Sequence, residues 1–226
     1  MPTFSAELVA RKDISPRVVG MTFHASAPLV RAAGQYVMLT LDEGSTHAFS
    51  VSSPFEPDRP ARFEIAVARG TSAGAVLELE LGAVVSVTGP SGSLVWRADA
   101  PALLVATGTG ISPLRALVHE QLARASSTPL YLLFGCQDSE EELWGAEFAA
   151  LAAQHGRFRF WPTHSRPSPG YTGRIGRVQA YLPELAKQLG PSLRAYLCGH
   201  TPMVRDCTTI LLDLGVAPEH VHGESY

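Results

Sequence analysis

Cysteine is scarce in this sequence: Cys136, Cys198 and Cys207 are the only three in 226 residues, and no two of them stand in a Cys-x-x-Cys spacing. That excludes a disulfide framework, a four-cysteine zinc site and a cysteine-ligated iron–sulfur cluster built from this chain alone, and no metal site is expected. Charge is scarce too. Only 17% of residues are charged, the net charge is -3, and no run of Lys or Arg occurs, so the basic footprint of a nucleic-acid binder is missing. No apolar stretch approaches the roughly 20 residues of a membrane-spanning helix, and Met1 to Ala10 lacks the basic and then apolar segments of a signal peptide. The expected location is the cytoplasm, with small molecules or other proteins as partners. No catalytic triad is visible, because Ser112 lies in a glycine loop and no histidine pairs with it.

What is present is apolar residue in quantity: at 46% hydrophobic the chain can bury a substantial core, and its length suits one large or two compact domains. Two rhythms divide it. From Phe4 to about Trp96, short β-rich segments alternate with Gly, Pro, Asp and Ser, which predicts an antiparallel barrel or sandwich. Within this half Gly74 to Leu81 reads as a short helix, with a strand as the alternative. After Asp99 short apolar strands beginning at Ala102, Leu130, Phe158 and Ala195 alternate with helices expected over Pro113–Arg124, Glu140–Gln154, Val178–Leu189 and Pro202–Leu214. That pattern predicts a parallel sheet covered on both faces, with ligands beyond the carboxyl ends of its strands. Glu140, Glu141 and Glu142 are expected in the first turn of the second helix, where the dipole favours negative charge, and Trp144 and Phe148 on its buried side.

The centre of the pattern is Val105 to Arg115, in which the glycines of Gly108-Thr109-Gly110 join a buried strand to a helix. Glycines let a ligand approach the backbone, and the first helical turn offers unpaired N–H groups to a pyrophosphate. A plain strand-to-helix turn is the alternative, since this is not the full dinucleotide fingerprint.

Taken together, Gly34-Gln35-Tyr36, His47 to Ser53, Gly89-Pro90-Ser91-Gly92, Gly108 to Pro113, Ser165-Arg166, Cys198-Gly199 with Met203, and the terminal Glu224-Ser225-Tyr226 resemble the ferredoxin–NADP reductase family, in family order and almost end to end. The resemblance implies a flavin-binding β-barrel over residues 1–98, a Rossmann-like NAD(P)-binding α/β domain over 99–226, and hydride transfer between them. It implies that Ser50 lies near flavin N5, that Cys198 contacts the nicotinamide, that Glu224 joins their network, and that Tyr226 covers the flavin face until nicotinamide displaces it. Flavin contacts are further implied for Tyr36, His47, Phe49, Val51, Ser52, Gly70, Thr71, Ser72 and Gly74. Nucleotide contacts are implied for Gly108, Thr109, Gly110, Ser165, Arg166, Arg174, Gly199 and Met203.

Three residues depart from the family pattern. His47 replaces an Arg that pairs with flavin phosphate, and a mostly neutral histidine offers no fixed charge or bidentate fork. Gly74 replaces a Ser or Thr at a helix start, which leaves its backbone N–H with the hydroxyls of Thr71 and Ser72 as substitutes. Gln137 replaces an Arg, leaving Ser165, Arg166 and Arg174 for an adenosine 2'-phosphate. The expected cofactor is FAD, with FMN or a dissociable flavin as alternatives, and NADPH is favoured over NADH. The expected acceptor is ferredoxin or a similar protein. Two other functions stay open: a reductase that uses free flavin as substrate, and an electron-transfer or redox-sensing module without turnover of its own.

Overall fold

The computed structural model describes residues Met1–Tyr226. Their packing divides the chain into two units, Met1–Trp96 with Ser112–Gln121 and Arg97–Ile111 with Leu122–Tyr226. The first contains β1 (Thr3–Ser15), β2 (Val18–Ala25), β3 (Tyr36–Thr40), β4 (Thr46–Ser50), β5 (Arg62–Ala68) and β6 (Val84–Ser91), an antiparallel sheet in the order β4-β3-β6-β1-β2-β5. A bridge between Val51 and Ile65 joins its two ends. That bridge closes the sheet into a barrel rather than letting it split into a sandwich. Alternate residues point inward, and Phe23, Val37, Leu39, Phe49, Phe63, Ile65 and Val87 fill the core. The short helix expected over Gly74 to Leu81 is a 3-10 turn, Ser72–Glu78, that buries Val76.

The second unit carries β7 (Ala102–Thr107), β8 (Leu130–Cys136), β9 (Phe158–His164), β10 (Arg174–Ile175), β11 (Arg194–Gly199) and β12 (Val221–Ser225), in the order β10-β9-β8-β7-β11-β12. Every pairing is parallel. The helices are α1 (Ile111–Leu122), α2 (Gly145–Gln154), α3 (Leu182–Leu189) and α4 (Thr201–Asp213). Of these, α1 packs for most of its length in the barrel unit. From β7 the chain runs outward through β8 and β9 to β10, then returns to the opposite side of β7 for β11 and β12. This reversal is a topological switch point, where open parallel sheets bind ligands beyond their carboxyl ends.

Three expectations need correction. The helix expected from Glu140 begins at Gly145, because Trp144 takes left-handed backbone with φ 53° and cannot continue a helix backward. Its glutamates instead form a 3-10 turn, Ser139–Glu141, capped by the Asp138 carboxylate, which accepts the N–H groups of Glu140 and Glu141 at 2.9 and 3.3 Å. The helix expected from Val178 starts as a 3-10 turn, and α3 proper begins at Leu182. The two-residue strand β10 is too short to carry a periodicity, and only its pairing with β9 identifies it.

Candidate functional site

At the switch point β7 runs into a 3-10 turn, Gly108–Gly110, which leads directly into α1. The ends of β7 and β11 are pressed together there. A Cβ on Gly110 would collide with the carbonyl of Cys198, and one on Gly199, whose φ is +146°, would collide with the Thr107 hydroxyl. Neither position tolerates a side chain, for reasons of space at the first and of conformation as well at the second. The Thr107 hydroxyl also accepts the His200 N–H at 3.3 Å. One further hydroxyl in this stretch, Ser112 Oγ, is buried without a partner.

Tyr226 is inserted into this turn. Its hydroxyl accepts the Gly110 N–H at 2.8 Å and the Thr109 hydroxyl at 3.1 Å, and donates to the Thr107 carbonyl at 3.1 Å. The last residue is further held by its N–H on Gly199 O and by the Thr201 hydroxyl on its own carbonyl oxygen, each at 3.3 Å. The residue as a whole remains 61% exposed while its hydroxyl is held by three hydrogen bonds, and burial raises the phenol pKa above its ordinary 10.0. The terminal residues are thus an ordered strand. Parallel pairing of β11 with β12 sets Cys198 beside Glu224. Cys198 is buried, and burial first, then the Glu224 charge, push its thiol pKa up to about 12. The thiol is neutral at physiological pH and serves as a soft packing group rather than a nucleophile. Met203, 5% exposed, packs on Gly199 and completes the group.

Farther along the rim, Ser165 and Arg166 follow β9. Their N–H groups donate to Cys136 O and Gln137 O at 3.0 and 2.7 Å, which leaves both side chains exposed. Arg174 is engaged elsewhere, its guanidinium 3.5 Å above the Trp161 ring, so Arg166 is the more accessible cation. Sequence reasoning missed the neighbouring group. His164, 1% exposed, bonds through Nε2 to Glu142 at 3.0 Å and stacks on Tyr171 at 4.0 Å. A histidine ending a strand of a parallel sheet, on the ligand side, was the available signal.

In the barrel unit, antiparallel pairing sets Tyr36 directly opposite Ser50, and Val37 opposite Phe49. Side chains alternate across the sheet, so the partly exposed Tyr36 and Ser50 share one face while Phe49, 6% exposed, belongs to the core with Val37. The aromatic ring that shares a face with the Ser50 hydroxyl is therefore that of Tyr36, while Phe49 turns inward. His47 stands 6.5 Å from Phe49. Val51 is buried at the barrel closure, and Ser52 Oγ donates to Glu64 O at 3.2 Å, so neither offers its side chain to a ligand. The expected phosphate-binding N–H of Gly74 is consumed by Thr71 O at 2.9 Å, and the Thr71 hydroxyl by Ala68 O at 3.1 Å. Gly70 and Ser72 remain exposed.

These donor sets fit the groups they would hold. In the turn, a backbone N–H and a hydroxyl converge on one acceptor oxygen, which Tyr226 supplies and a nucleotide phosphate equally would. On the barrel, a half-exposed aromatic beside a hydroxyl suits a planar ring with hydrogen-bonding edges. The family model for the oxidoreductase NAD-binding domain matches residues 104–209. Ferredoxin–NADP reductase B of Sorangium cellulosum is 36% identical, over 99% of this chain and 97% of its own length. The chain belongs to the ferredoxin–NADP reductase family. Its fold is that of the ferredoxin–NADP+ reductase of Neisseria gonorrhoeae, with a TM-score of 0.84 at 22% identity over 100% of this chain and 99% of that one. Another member, the NAD(P)H-flavin reductase of Aliivibrio fischeri, is 30% identical over 69% of each chain. Oxygenase reductase components also match, but this chain spans only 59% to 65% of their length. As a ferredoxin–NADP reductase family member, the protein is an oxidoreductase. No helix is long and apolar enough to cross a membrane.

Proposed function

We propose that this chain takes hydride from a nicotinamide nucleotide to a flavin and passes the electrons to a protein acceptor such as a ferredoxin. Residues 1–98 provide the flavin site and 99–226 the nucleotide site. The observation that carries the reading is the Gly108–Gly110 turn at the switch point, next to Cys198 and Glu224 in register. Bound flavin supplies the ring that accepts hydride and releases electrons singly or in pairs. The chain's own part is placement. Tyr36 would support the ring face, Ser50 would hydrogen-bond at its N5 edge, and His47 and the exposed Ser72 would lie toward its phosphates. Gly110 N–H and the Thr109 hydroxyl would take the nucleotide phosphate once Tyr226 withdraws. The neutral Cys198 thiol would exclude water beside the reacting carbon, with Glu224 as its polar neighbour.

FAD is the proposed flavin, and NADPH the preferred nucleotide because Arg166 is exposed where a phosphate would be welcome. Flavin as a dissociable substrate is the second reading, favoured by the lack of a fixed cation at His47 and by the internal use of the Gly74 N–H. A cytoplasmic location agrees with three unpaired cysteines. The test is the absorption spectrum of purified protein before and after NADPH and, separately, NADH. Retained yellow colour that bleaches with nucleotide supports the first reading. Colourless protein that reduces added FAD supports the second, and no nucleotide oxidation with any flavin or artificial acceptor overturns both.

A further inference from the structure

Tyr36 and Ser50 face each other at the end of the β3–β4 ladder, and beyond Ser50 the chain leaves β3 for β5. The next carbonyls lie in buried surroundings, since Ser52 is 1% and Ser53 8% exposed. Guanidinium groups receive them. Arg115 Nη1 donates to Ser52 O at 3.1 Å, and Arg31 Nη2 donates to Ser53 O, Ser53 Oγ and Pro54 O at 3.3, 3.1 and 2.9 Å. Arg115 also reaches Glu64 Oε2 at 3.3 Å, while the Glu64 backbone accepts the Ser52 N–H at 2.8 Å and donates to Ser53 Oγ at 3.1 Å. Ser52, Ser53, Glu64 and Arg115 therefore form a closed polar ring behind the strand that carries Ser50.

Arg115 comes from α1, and the same helix reaches the segment that leads into β3. Glu120 accepts the Ala33 N–H at 3.2 Å, three residues before Tyr36. One helix thus holds the segment just after Ser50 by a cation and the approach to Tyr36 by an anion. A guanidinium at 14% exposure that binds a carbonyl and a carboxylate together is a geometric clamp, and Lys cannot reproduce its fork.

We infer that Arg115 and Glu120 are positioning residues for the flavin-binding pair: α1 braces the segments that flank Tyr36 and Ser50, and Arg115 sets where the Ser50 hydroxyl meets the flavin. The inference rests on the flavin reading above. It also explains why most of α1 packs with the barrel although its first residues continue the nucleotide turn.

The test uses the full chain. FAD dissociation constants come from quenching of flavin fluorescence, and the rate of bound-flavin reduction at saturating FAD from rapid mixing with NADPH, with the KM for NADPH and the Tm measured alongside. Arg115→Leu is expected to weaken FAD binding roughly tenfold and to slow reduction of the flavin that still binds by a similar factor, as loss of a charge-assisted hydrogen bond dictates, with KM for NADPH unchanged. Arg115→Lys should recover part of both losses. Glu120→Gln, which retains an acceptor oxygen without the charge, is expected to weaken FAD binding less, and it carries the comparison if Arg115→Leu does not fold. A lowered Tm in Arg115→Leu with FAD affinity and reduction rate within about twofold of wild type would make the residue structural only and overturn the inference. Wild-type protein that binds neither FAD nor FMN overturns the functional reading and this one together, whereas wild-type binding matched by every variant overturns this one alone.

Discussion

The Tyr226 hydroxyl lies 2.8 Å from the backbone nitrogen of Gly110, inside the glycine turn where a nucleotide phosphate is expected. The terminal side chain and the nucleotide then compete for the same donor. Tyr226→Phe removes the competing oxygen and keeps the ring. The expected result is a KM for NADPH lowered about fivefold, the worth of roughly 1 kcal/mol for one net hydrogen bond, with flavin affinity unchanged. An unchanged KM would mean that the hydroxyl leaves the turn without cost.

Phe49 lies in the barrel core and Tyr36 on the partly exposed face of the same strand pair. Phe49→Ala opens a cavity in the barrel core, so it should cost about 3–5 kcal/mol in denaturant unfolding. Tyr36→Ala sits on the open face and should cost far less stability while weakening FAD binding. Equal losses of stability in the two variants would argue against the division of faces.

Cys198 is held protonated by burial and by Glu224, with a pKa of about 12. Its ionisation therefore contributes nothing to a rate profile between pH 6 and 9, and iodoacetamide should modify it far more slowly than an exposed thiol. Cys198→Ala is expected to slow flavin reduction in rapid mixing while FAD affinity stays constant. Fast alkylation of native protein at Cys198 would contradict the neutral packing role.

Arg166→Ala tests the nucleotide preference. Loss of a charge-assisted contact to a 2'-phosphate should raise the KM for NADPH about tenfold or more and leave that for NADH unaltered. Parallel losses with both nucleotides would remove the basis for the preference.

His222 has its pKa lowered below 6.5, first by burial and then by the charges of Arg97, Arg194 and His220. Below 6.5 the unfolded chain binds this proton more readily than the folded one, so its contribution to stability is complete above that pH and is lost as the pH falls. The Tm should drop from pH 7 toward pH 5, and His222→Gln should flatten part of that slope. The strand affected is β12, which carries Glu224 and leads directly into Tyr226.

Much of the architecture was legible because it depends on local pattern. Short β-rich segments between Gly, Pro, Asp and Ser marked the strands of the barrel, and the glycine turn running into Pro113–Arg124 marked α1. Errors fell where a single backbone torsion or a distant partner decides. Trp144 stops a helix that its neighbours favour, and Glu140 and Glu141 serve a 3-10 turn because Asp138 caps it. A motif names Phe49 without naming its face; only the pairing of β3 with β4 turns it inward and turns Tyr36 outward.

By itself the sequence determined an antiparallel half of short strands, a parallel sheet alternating with helices and the glycine turn between strand and helix, because hydrophobic period and glycine placement act over a few residues. Tertiary structure alone decided that Tyr226 closes on Gly110, that Glu224 lies beside Cys198, and that Arg115 and Glu120 bond the segments flanking the Tyr36–Ser50 pair. Those contacts join residues far apart in the chain, and their geometry is set by sheet register and helix packing, which no local pattern encodes.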